Sequence, residues 1–153
     1  MIEPRRLILE LRAVIPVGVC RVRCHHCCGP THWSRTEVAM LREALGLPGP
    51  PDTLPRLPRA VGDPAPTRED CPFLRAAGCA VYEHRPLVCR LFGVSHDPGL
   101  RCPHGQRCED PLTAEYTRDL WGHYVRECGP FVVAASEAFE AEVEQQRRWL
   151  TTH

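Results

Sequence analysis

The chain has 153 residues, a formal charge of zero from 19 basic and 19 acidic side chains, and ten cysteines. That length suits a single domain with a real hydrophobic core, so the cysteines do not make up for a chain too small to fold. Balanced charge argues against a strongly basic nucleic-acid surface, and no run of about 18 apolar residues is present to cross a membrane.

Residues 5–19 are apolar and partly β-branched (Leu7, Ile8, Leu9, Leu11, Val14, Ile15, Val17, Val19). They read as a strand or a short helix that ends at Pro16 and Gly18, before the first cysteine. Glu10 and Arg12 interrupt this segment, which therefore does not read as a secretory signal. After Cys28, Gly29-Pro30 makes a turn. Ser34-Arg-Thr-Glu37 is then a capping box, with serine at the N-cap and glutamate three residues on. Val38, Leu41 and Leu45 follow at helical spacing, Gly46 is placed to end the helix and Pro48 prevents its continuation. The spacing predicts a helix over about 35–45.

Residues 47–70 carry Pro48, Pro50, Pro51, Pro55, Pro58, Pro64 and Pro66, with Pro72 just beyond. Proline removes backbone donors and fixes φ, so an extended surface connection is expected here. Val81-Tyr82 reads as a short extended segment. Arg85 to Phe92 reads as a short helix with Pro86 in its first turn and Gly93 at its end. Residues 95–111 return to loop. Two helices close the chain: Thr113 to about Glu127, with Tyr116, Leu120 and Tyr124 on one face, and Ser136 to about Leu150, with Phe139, Val143 and Leu150 on one side. Both stripes read as helix-packing faces.

The cysteines carry the functional signal. The first group is Cys20-Arg-Val-Arg-Cys24-His-His-Cys27-Cys28; the second runs from Cys71-Pro-Phe-Leu to Cys79 and Cys89. Sulfurs two or three residues apart can converge on one point from a single loop, as a metal ion or iron–sulfur cluster requires. Thiolates are soft donors suited to zinc and iron–sulfur clusters, and poorly suited to magnesium or calcium. Cys24-x-x-Cys27 is the strongest local chelate. Cys20 lies one residue further out, and the adjacent Cys27 and Cys28 point in different directions. His25 and His26, inside the first loop, read as solvent-facing or as neighbours of the thiols rather than ligands. A second site from Cys102, His104, Cys108, His123 and Cys128 is the less favoured alternative to buried thiols and surface histidines. With thiols as metal ligands, a cytoplasmic, reducing setting is expected.

The second segment resembles the YkgJ-like cysteine-cluster family, whose CxxCxxCC segment and helix precede a CPFL…C-x-IY-x-x-RP-x-x-CR-x-F block. Here that block reads Cys71-Pro72-Phe73-Leu74, then Cys79-Ala80-Val81-Tyr82-Glu83-His84-Arg85-Pro86-Leu87-Val88-Cys89-Arg90-Leu91-Phe92. The similarity spans residues 20–93, and in the first segment Cys20 is set off from Cys24 by three residues where the family has two. The resemblance implies metal chelation by Cys20, Cys24, Cys27, Cys28, Cys71, Cys79 and Cys89. Tyr82, Arg85 and Arg90 belong to the same block and read as neighbours of the metal, where guanidinium groups would offset thiolate charge. Local pairing of the arginines and core packing of Tyr82 is the equal alternative.

The expectation is therefore a mainly α, loop-rich single domain over 1–153, with its cysteine loops, in the region 20–93, gathered at a metal centre and a helical region over 113–150. The function expected of it is to hold an iron–sulfur cluster with a redox or electron-transfer role toward a protein partner. The alternative is a zinc-stabilised structural or interaction module without catalytic activity. No paired carboxylates, Ser–His–Asp pattern or HExxH motif stands out, so no catalytic residue is assigned. The missing lysine excludes Schiff-base chemistry.

Overall fold

The computed structural model describes residues 2–18, 27–29, 31–63, 71–105 and 107–134. Helix α1 covers Pro4–Val14, which resolves the strand-or-helix ambiguity at the N-terminus. Proline is tolerated in a first turn because that N–H has no intrahelical partner. The Glu3 side chain then accepts from the Arg5 and Arg6 amides, which do need one. Leu7, Ile8 and Leu11 form its buried stripe.

Strand β1, Thr31–Ser34, leads directly into helix α2, Arg35–Leu45. The capping box forms as expected: Ser34 Oγ accepts from the Glu37 amide at 3.1 Å, and the Glu37 carboxylate reaches back to the Ser34 amide at 3.2 Å. Gly46 ends the helix at φ 64°, a left-handed conformation that a Cβ would penalise.

No regular element occupies residues 47–63, yet the connection is held firmly. Arg42 donates to the carbonyls of Leu47, Pro48, Pro50 and Thr53 at 2.7–3.3 Å. One guanidinium thus satisfies acceptors for which a proline-rich segment has few backbone donors. Further on, Arg75 donates to the Leu57 carbonyl at 3.1 Å, while Asp63 accepts from the Ala60 and Ala76 amides.

A two-stranded hairpin follows, β2 at Leu74–Arg75 and β3 at Gly78–Cys79. Tyr82–His84 then forms a 3-10 turn, where an extended segment was expected at Val81-Tyr82. The physical reason is the hydrogen bond from the His84 amide to the Val81 carbonyl at 2.8 Å, which closes the chain before Arg85-Pro86. Helix α3 is short, Leu87–Leu91, with Pro86 at its N-cap. Helix α4 covers Ala114–Cys128, capped by Thr113, and strand β4, Phe131–Ala134, returns antiparallel to β1 with Ser34 opposite Phe131. The sheets were not foreseen. β1 has only four residues, and its partner lies about a hundred positions away. The expected helix over 136–150 lies outside the described residues.

Helix α1 packs against α2, α3 and α4, and α3 also packs against β1. One apolar cluster joins Leu7, Ile8 and Leu11 to Leu87, Leu91, Leu120 and Tyr124. A second joins Trp33, Val38 and Leu41 to Cys71, Phe73 and Val81. Among the described residues no helix is long and apolar enough to cross a membrane.

A candidate metal centre of converging cysteines

The local chain explains how cysteines far apart in sequence approach one another. Cys28 stands three residues before β1, and Cys89 lies within α3, which packs on β1. Cys79 closes the short hairpin opposite Leu74, and the Cys71 carbonyl accepts from the Leu74 amide at 3.0 Å at the hairpin's entrance. Cys71 belongs to the second apolar cluster, with Cys28 and Cys79 packed against it.

Their electrostatics follow from that packing. Cys27 and Cys28 share a side-chain hydrogen bond that draws Cys27 below the ordinary thiol range and holds Cys28 far above it. The charges of Cys71 and Cys79 push Cys28 up further, after burial. Burial also pushes Cys89 well above the ordinary range, and Cys71, Cys79 and Cys27 add to it. Thiolates at these five positions would repel one another in a poorly solvated place. A bound soft cation removes that repulsion, so the donor set fits zinc or iron with sulfide. Cys20 and Cys24 lie outside the described residues, as do His25 and His26. Among the described residues no three Cys, His, Asp or Glu side chains are already set as a metal site.

The three residues expected beside the thiolates behave differently from one another. Arg85 lies over the Tyr82 ring, 3.6 Å from its centroid, and its Nε donates to the Tyr82 carbonyl at 2.9 Å. Its charge opposes the upward shift of Cys89 and helps to lower Cys27. Tyr82 is thus a half-buried platform for Arg85. Arg90 instead ties the loop, donating to the carbonyls of Arg85 at 3.0 Å and Glu83 at 2.6 Å. Burial lowers its pKa, and Arg12 and Arg85 lower it further.

Beneath this loop lies a network that the sequence reading missed. Glu37, only 1 % exposed, accepts from the Leu87 amide at 2.8 Å and from Arg12 Nη2 at 3.3 Å. Its second oxygen accepts from the Ser34 amide and from the buried Tyr124 hydroxyl. Arg12 also donates to the Arg85 carbonyl at 3.1 Å. Burial, with the Glu37 charge and hydrogen bond, raises Tyr124 far above its usual range. The capping box identified Glu37 as a local partner of Ser34. Nothing in the sequence marked it as the junction of α1, α2, α3 and α4.

The alternative second site does not assemble among the described residues. Cys128 is buried in the first apolar cluster, Cys108 packs against its edge, and His104 is exposed. No three of Cys102, His104, Cys108, His123 and Cys128 form a metal-ligand group. Burial raises Cys128 to about 11, with Glu37 and Glu127 contributing.

A family model described as a zinc- or iron-chelating domain, CxxCxxCC, matches residues 19–112. The chain belongs to the CxxCxxCC family. The match extends past the 20–93 region that carries the motifs, so this CxxCxxCC domain also takes in Arg107 and the loop around Cys102 and Cys108. Zinc or iron chelation accords with the donor chemistry of the converging thiols. No curated protein and no solved structure matches the chain.

Proposed function

We propose that Cys27, Cys28, Cys71, Cys79 and Cys89, with Cys20 and Cys24 of the first segment, supply the thiolates of an iron–sulfur centre that exchanges electrons with a protein partner. The observation that carries this reading is the packing of Cys28, from the first segment, and Cys79 against the apolar cluster that contains Cys71, with the charges of Cys71 and Cys79 raising Cys28 beside it. An iron–sulfur centre supplies one-electron redox chemistry when bound. The protein's own contribution is to gather the thiolates at the edge of an apolar cluster and to set Arg85 against their charge. Helix α3 fixes Cys89, and Arg90 and Arg12 hold the Arg85 carbonyl that precedes it. The partner surface and the cytoplasmic location belong to the same proposal.

A second reading is favoured by the packing of Cys28, Cys71 and Cys79 against Trp33, Val38, Phe73 and Val81. A closed zinc site there would act as a staple between the first cysteine segment and the hairpin, in a module without redox activity. Anaerobic purification, an absorbance spectrum and analysis of iron, zinc and acid-labile sulfide in one sample separate the two. Brown protein with iron and sulfide is the expected result. Colourless protein with stoichiometric zinc overturns the redox reading, and protein free of either metal overturns both.

A further inference from the structure

Helices α1 and α2 leave a cavity of about 340 Å³ between them, with His84 of the 3-10 turn on its wall. The helix period explains its lining. Arg5, Leu9 and Arg12 recur at intervals of four and three on α1, as do Glu37, Leu41 and Ala44 on α2, so each set shares one face. The volume lies toward the lower end of small-molecule sites, about 300–1,000 Å³. Among the described residues no cysteine lines the cavity, which is therefore distinct from the thiol site.

Its polar walls hold more donors than acceptors. Glu37 has both oxygens taken, one by the Leu87 amide and Arg12 Nη2, the other by Ser34 and Tyr124. Both oxygens of Glu43 accept from Arg5, at 2.6 and 3.1 Å. Arg12 Nε, by contrast, is buried and has no hydrogen-bond partner among the described residues. A buried N–H is unfavourable unless an acceptor is supplied. The Arg5–Glu43 pair is exposed on both sides. Exposed pairs contribute little in water, so Arg5 can turn to another anion at small cost. His84 brings a ring N–H to the same wall. The rest of the lining is apolar: Met40, Leu41, Ala44 and Leu9, which is 51 % exposed and has surface left to cover.

We propose that this cavity binds a small organic carboxylate, its oxygens on the guanidinium groups of Arg12 and Arg5 and its apolar tail along Leu9, Met40 and Ala44. The planar guanidinium fork matches a carboxylate. A cation is disfavoured, because the carboxylate oxygens in the walls are already used. With two arginines facing two glutamates, one further negative charge is accommodated more readily than the two of a phosphate. No thiol takes part, so the site stands whichever metal the cysteines hold.

The test is isothermal titration calorimetry of the full-length protein, purified anaerobically with the metal it carries, against octanoate, octanol and inorganic phosphate. Octanoate should bind saturably, and about tenfold or more tightly than octanol or phosphate, as one charge-assisted contact implies. Arg12→Lys keeps a cation for Glu37 and loses the Nε donor, so it should weaken octanoate about tenfold. Ala44→Trp fills the cavity from an exposed helix position and should abolish octanoate binding while the protein stays folded. Absence of saturable octanoate binding overturns the proposal. So does binding of octanol or phosphate as tight as that of octanoate, or unchanged octanoate affinity in Arg12→Lys or Ala44→Trp. If Arg12→Lys fails to fold, Arg5→Met, at an exposed position, takes its place: weaker octanoate binding supports the proposal and unchanged affinity overturns it.

Discussion

Glu37 offers the most demanding test of how this fold holds its cysteine loop. Its carboxylate is 1 % exposed and joins Ser34, Leu87, Arg12 and Tyr124, so truncation disconnects four chain segments at once. Glu37→Ala leaves the Leu87 amide, the Arg12 guanidinium and the Tyr124 hydroxyl short of their acceptor. Removing one partner of a buried ion pair costs about 3–5 kcal/mol, and total stability is only about 5–15 kcal/mol. The expected Tm loss is roughly 6–20 °C for a chain of this size. Glu37→Gln keeps one oxygen toward Leu87 and Arg12 but removes the charge, so about 1–3 kcal/mol is expected. Tyr124→Phe removes a single donor and should cost about 1–2 kcal/mol. Because the two side chains touch, the double variant should cost less than the sum of the singles by at least ~0.5 kcal/mol. Urea unfolding, followed by the fluorescence of Trp33 and Trp121, gives all four values. A loss under ~0.5 kcal/mol for Glu37→Ala, or strict additivity in the cycle, would refute the junction role.

Further outcomes concern the thiols. Cys28→Ser and Cys89→Ser should each lower bound metal per chain and Tm together, because metal stabilises only the folded state; full metal content in both, by elemental analysis, removes these residues from the ligand set. Burial and neighbouring thiols raise Cys28 and Cys89, so both are protonated in the metal-free protein near neutrality. Binding must expel those protons, and affinity should therefore fall as pH falls, by about tenfold per pH unit for each proton released. A flat profile between pH 6 and 8 in a chelator competition is incompatible with that sign. Cys128 has its folded pKa raised to about 11, above an unfolded value of about 8.5. Its contribution is fully present below the unfolded value and is lost as pH rises toward 11. Cys128→Val should flatten the fall of stability over that alkaline interval in urea titrations, and an unchanged slope would contradict the assignment.

Several features were legible in the sequence because their causes are local. The capping box and Gly46 set both ends of α2, and Thr113 and the stripe of Tyr116, Leu120 and Tyr124 marked α4, although of that stripe Tyr116 is exposed and only Leu120 and Tyr124 are buried. Prolines kept 47–63 free of regular structure. The cysteine spacing announced soft-metal chemistry, and the second segment announced the family. Tertiary structure decided what depends on distant partners. It paired β1 with β4, folded Val81-Tyr82 into a turn where an extended segment was expected, and separated Cys128 from the candidate metal chemistry by burying it in a core. Arg85 and Arg90 looked equivalent in one motif; only the fold set one over Tyr82 beside thiols and bound the other to carbonyls. The same holds for Glu37, a local cap in the sequence and a four-way junction in the fold. A side chain's type fixes which bonds it can form, but its burial and its neighbours from remote segments fix which ones it does form.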